Sequence, residues 1–179
     1  MHATGLLRNR GRRDPPRAAP SEHEGRTAGR LLAYAAARPA GSVPRRAAIM
    51  LGVVVGAALV ATTAAIHLHL WASGYRDIPT IGPLFLFQGI AGAAIAVALV
   101  AWRRLITVVA AAGFMIATIG GLLLSVYVGL FGFTDTLSAP FAGLSLAVES
   151  VGAVVLGAVA IALVLGQSRG ARSRSAPMT

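Results

Sequence analysis

Four polar side chains sit where apolar sequence should exclude them: His67, Gln88, Tyr127 and Glu149. Each interrupts a different long apolar stretch. Glu149 lies eight residues past Phe141, which is about 12 Å along a helix at 1.5 Å per residue. Gln88 lies eight past Thr80, Tyr127 four before Phe131, and His67 four before Trp71. The four therefore reach comparable depths from the same end. A carboxyl, an imidazole, an amide and a phenol at one level make a candidate polar pocket. Its chemistry would be proton exchange between His67 and Glu149, or a contribution of the two to a metal or cofactor site. The structural alternative is interhelical hydrogen bonding that fixes a bundle, at about 0.6 kcal/mol per contact.

No constellation for covalent chemistry accompanies them. The chain has no Cys, so disulfides, thiolate metal sites and Cys-anchored lipids are excluded. His67 and His69 are two residues apart, and on a helix such side chains point about 200° apart. No HxxxH or HExxH spacing occurs, and neither a phosphate loop nor a nucleophile–base set is evident. The expectation is a chain that is not an enzyme, with no metal and no cofactor.

The elements that must position these residues are four spans, 47–70, 81–102, 105–133 and 142–166. A bilayer-crossing helix needs about 20 predominantly apolar residues, and all four qualify. The chain is 56% hydrophobic and 12% charged, against roughly 25% charged in a soluble domain. The expected fold is all-α: a four-helix transmembrane bundle over 47–166, an arginine-rich disordered tail over 1–46 and a short basic tail over 167–179. Residues 1–46 hold ten of the sixteen arginines and five prolines, with little to bury. Ser21 and Glu24 have capping-box spacing, so 27–38 can form an amphipathic turn or two able to lie on the membrane surface; a nascent helix is the expectation. Arg45 and Arg46 before an apolar run resemble a signal peptide, but the run far exceeds a signal core of roughly 7–15 residues. An uncleaved helix is expected.

Arginine placement orients the spans. Arg45 and Arg46 precede the first, Arg103 and Arg104 form the turn after the second, and Arg169, Arg172 and Arg174 follow the fourth. The other two loops hold only Arg76 beside Asp77, and Asp135. The positive-inside rule then predicts a multi-pass plasma-membrane protein with both termini cytoplasmic. The net charge of +10 is spent on orientation and on headgroups, so nucleic acid is not an expected partner. The expected partners are the lipid bilayer and a membrane protein or second copy of the chain. Small-residue pairs four apart, Gly52–Gly56, Gly89–Ala93 and Ala153–Gly157, are candidate close contacts, and Gly120–Gly121 is a candidate bend.

The least generic segment is the loop after the first span, where Tyr75, Arg76 and Asp77 are candidate groups at the bundle mouth. Residues 67–88, HLHLWASGYRDIPTIGPLFLFQ, carry the pattern H-x-x-L-W-x-x-G-Y-R-x-I-P-x-I-G-x-L-F-L. In this the chain resembles small four-helix integral membrane proteins of actinobacteria. The resemblance covers the first two spans and implies a fold and an environment, not a mechanism. The function expected is that of a non-catalytic accessory or interaction subunit. The alternatives are a small proton-coupled transporter using Glu149 and His67, and a haem- or quinone-binding redox protein near His67.

Overall fold

The computed structural model describes residues 43–174, with side chains through 168. The expectations for a disordered leader and a nascent helix at 27–38 lie outside the described residues. Among the described residues four helices follow one another: α1 (Val43–Ala72), α2 (Ile81–Ala101), α3 (Leu105–Tyr127) and α4 (Ala142–Arg174). A single 3-10 turn, Tyr75–Asp77, lies between α1 and α2. The bundle is all-α, and all four helices are long and apolar enough to cross a membrane. Their outward faces carry Leu51, Val54, Phe87, Val97, Ile116, Val154 and Ile161, each more than half exposed. A belt of that extent would be an aggregation liability in water, and is what a helix facing lipid presents.

Two boundaries extend beyond the apolar stretches. α1 is already helical at Val43, the first described residue, rather than from 47. α4 continues past 166 as far as Arg174. A third boundary retreats. The stretch 105–133 is not one helix, and α3 stops at Tyr127. Leu130 and Phe133 then exchange both backbone hydrogen bonds, at 2.7 and 2.9 Å, across Phe131 (φ 53°) and Gly132 (φ 79°). Positive φ at both central residues is the geometry of a tight hairpin turn, and with Gly129 also at φ 86° a helix cannot pass. Apolar composition alone hid this break.

The bundle has an arginine end and an aromatic end. At the first, Arg45 donates a hydrogen bond to the Ala162 carbonyl of α4, and Arg103 approaches Met50 Sδ of α1 at 3.8 Å. The half nearer this end, together with the middle, is filled by one apolar core. Val60, Leu99, Val108, Met115 and Leu156 are all fully buried there. α1 packs broadly on α2 and α4, and α3 on α4, whereas α2 and α3 meet sparsely despite their short connection.

Of the small-residue pairs, Gly52–Gly56 is a real close contact. A Cβ at Gly56 would meet Leu156 Cδ2 at 2.5 Å, and one at Gly52 would meet Val159 Cγ2 at 2.5 Å. In α2, Gly89 packs against Leu68 and Gly92 against Ala64 and Phe114, while Ala93 is exposed; the contact row is shifted by one residue. In α4 the pair Ala153–Gly157 is not the contact. Gly157 faces open space, and Gly152 instead receives the Met115 side chain. Gly120 and Gly121 produce no break, and α3 runs through them as one helix.

Candidate functional site

At the aromatic end the core gives way to a cavity of about 320 Å³ bounded by all four helices and the two loops. That is the lower end of the range for small-molecule pockets, roughly 300–1,000 Å³. His67 enters it from α1, Gln88 from α2, and Glu149 from α4. These three of the four predicted pocket residues thus converge. The fourth does not. Tyr127 is 74% exposed on the outside of the bundle and is not part of the lining. The residue that lines the cavity from the end of α3 is Ser125, two positions earlier. At 3.6 residues per turn, two positions are enough to reverse the face.

Among the described residues Glu149 is the most buried ionisable group, 1% exposed. Ser145, one turn earlier on α4, donates its hydroxyl to Glu149 Oε1 at 2.8 Å. The Thr118 hydroxyl of α3 faces the same carboxyl while donating to the Met115 carbonyl at 2.8 Å. Among the described residues neither Glu149 Oε2 nor Ser125 Oγ has a hydrogen-bond partner, the Thr118 hydroxyl being committed to its own helix. Buried polar groups are almost always paired, so two orphan oxygens at one cavity mark unmet hydrogen-bonding capacity.

His67 is also buried, at 7% exposure. Its Nδ1–H donates to the Thr63 carbonyl at 2.8 Å, which leaves Nε2 as the lone-pair nitrogen. His67 and Glu149 share the cavity, but each is bonded within its own helix. His69 points elsewhere: it is exposed, packs edge-on against Phe141 with centroids 5.2 Å apart, and stands beside the Ser73 hydroxyl. The two histidines face apart, as their spacing requires.

A ladder of rings closes the mouth. His67 lies 5.3 Å from Phe85, Phe85 stacks on Tyr75 at 4.8 Å and 21°, and Tyr75 meets Phe133 edge-on at 5.9 Å. The 3-10 turn that carries Tyr75 folds down onto the start of α2. Gly82 makes that possible, because a Cβ there would collide with the Arg76 carbonyl. Tyr75 therefore lines the cavity. Burial, and then the nearby Asp135 carboxylate, push its phenol above the ordinary range, so it stays a neutral hydroxyl at physiological pH. Arg76 and Asp77 pair with each other at 3.6 Å, 60% and 80% exposed, and do not reach the cavity.

Sequence reasoning passed over Thr118, Ser145 and Asp135. Ser145 had a signal, since it stands four residues before Glu149 and such pairs share a helix face. Asp135 had none: it reaches the lining only because the 130–133 turn brings the loop back over the bundle.

The fold and site together define a four-helix bundle of membrane-spanning length with a largely apolar cavity, bearing a few polar groups, at one end. Comparison of the chain with protein-family models, curated proteins and solved structures returned no match.

Proposed function

We propose that the chain is a multi-pass plasma-membrane protein, both termini cytoplasmic, that works by binding and not by catalysis. The cavity at its aromatic end is the binding site and opens to the outer side. The observation that carries this reading is the orphaned, fully buried Glu149 oxygen at a cavity shared by four helices. At a cavity wall, an unpaired buried oxygen is hydrogen-bonding capacity that a bound ligand would meet. The three basic junctions, all at the opposite end, support the orientation. The filled apolar core beneath the cavity makes it a one-sided receptacle, as suits an accessory or ligand-sensing subunit that docks to another membrane protein or a second copy.

A second reading, a proton-coupled transporter, draws support from the same Glu149 and the nearby His67, because ionisable groups within spans commonly mark ion and proton pathways. Vesicles reconstituted with the full chain separate the two. A binding subunit saturates with ligand without moving it. Ligand accumulation that depends on an imposed proton gradient, and disappears in Glu149→Gln, would instead establish transport.

A further inference from the structure

Resting on the reading of the cavity as a binding site, we propose the class of its ligand: a small organic ammonium ion, a protonated amine with an apolar body. Three features converge on this chemistry.

The first is sign. The titratable groups lining the cavity are Glu149, Asp135, His67 and Tyr75. Among the described residues no arginine lines it; Arg76 is turned to Asp77, and Arg45 and Arg103 lie at the far end. An anion would enter a site with two carboxyl groups and no countercharge. A cation supplies the partner that a buried carboxylate requires.

The second feature is hydrogen-bond polarity. Glu149 Oε2 and Ser125 Oγ lack partners, and His67 presents a lone pair at Nε2 once Nδ1–H is committed to Thr63. The unmet capacity is mainly for acceptance, so the ligand must bring donors. A primary ammonium offers three N–H groups. The third feature is the wall. Phe85, Tyr75 and Phe133 form a continuous aromatic surface at the mouth. Ring faces attract cations, more strongly where water is excluded. The same rings and the apolar lining accept a hydrocarbon body.

The test uses the full chain purified in an uncharged maltoside detergent and three probes with one body and different heads: 2-phenylethylammonium, 2-phenylethanol and 3-phenylpropanoate. Binding is measured by calorimetry at pH 7. Gly121→Leu serves as the reference for partition into micelles, because Gly121 lines the cavity with open space beside it and a leucine there fills it. The ammonium should bind at least tenfold more tightly than the alcohol, with the carboxylate weakest and all specific heat lost in Gly121→Leu. Glu149→Gln should cut ammonium affinity at least tenfold and change alcohol affinity less than threefold. Equal binding of alcohol and ammonium, or tighter binding of the carboxylate, would overturn the ligand class while leaving the cavity a binding site. Absence of heat from all three probes at millimolar concentration would overturn both. The head-group comparison needs only the wild-type chain, so it stands even if a variant fails to fold.

Discussion

The Ser145–Glu149 contact permits a quantitative test of whether Glu149 is built into the interior. Glu149→Leu keeps the volume and removes the acceptor at 2.8 Å, stranding a Ser145 hydroxyl that is 7% exposed. A buried polar group left unpaired costs about 1–3 kcal/mol. Serine can fall back on the carbonyl one turn earlier, here that of Phe141, which already accepts the Ser145 N–H at 2.7 Å. The loss should therefore sit near the lower end, at about 1–2 kcal/mol. For a chain of this length that is a fall in Tm of roughly 2–8 °C. Glu149→Gln retains an acceptor for Ser145 and should stay within about 0.5 kcal/mol of wild type. The decisive variant is the double one. Adding Ser145→Ala to Glu149→Leu removes the stranded hydroxyl and should recover about 1 kcal/mol, whereas Ser145→Ala alone should destabilise. Thermal unfolding in detergent, followed by circular dichroism, completes the cycle. Strict additivity of the two substitutions would show that the hydroxyl and carboxyl are not coupled, and the interior placement of Glu149 would fall with it.

Three further outcomes follow from the packing and the termini. Gly56→Ala places a methyl 2.5 Å from the fully buried Leu156 and should destabilise by about 1–3 kcal/mol, while Gly157→Ala, facing open space, should be neutral or stabilising by up to about 1 kcal/mol; detergent melts of the pair reveal the contrast, and equal behaviour would contradict the helix contact. Cysteines at Ser73 and Ser138 should label with an impermeant maleimide in intact cells and one at Ser173 should not; labelling at Ser173 alone would invert the orientation. Because the fold holds the Tyr75 proton more tightly than the unfolded chain does, the unfolded state loses it first as pH rises, so stability should fall above about pH 10. Tyr75→Phe should flatten that alkaline loss in a pH series of melts, and an unchanged slope would contradict the burial of the phenol.

The sequence made the spans legible because twenty-residue apolar stretches have few other interpretations, and it made Glu149, Gln88 and His67 conspicuous because polar groups there demand a reason. What it concealed was direction. Tyr127 shares the depth of the cavity but not its face, since depth follows from counting whereas facing depends on which helices are neighbours. The Gly152–Met115 contact was likewise obscured by the more obvious Ala153–Gly157 spacing, because in a chain with 21 glycines spacing alone cannot select the packed row. The end of α3 was hidden for a third reason: Val128, Leu130, Phe131 and Phe133 are apolar enough to extend a span, and only the positive φ at residues 129, 131 and 132 turns the chain aside.

Cysteine accessibility tests the outward-facing binding cavity most directly, because the native chain has no cysteine and each introduced thiol reports alone. Ser145→Cys and Ser125→Cys place thiols on the cavity wall, while Val151→Cys, on the same helix as Ser145 and 52% exposed to the outside of the bundle, faces lipid. A small cationic methanethiosulfonate reacts with thiolate, which forms readily only where water reaches. Added to intact cells, it should modify both cavity cysteines at least tenfold faster than Val151→Cys, and 2-phenylethylammonium should slow the cavity reactions alone. Equal rates at all three positions, or faster reaction at Val151→Cys, would contradict a water-accessible cavity around Glu149.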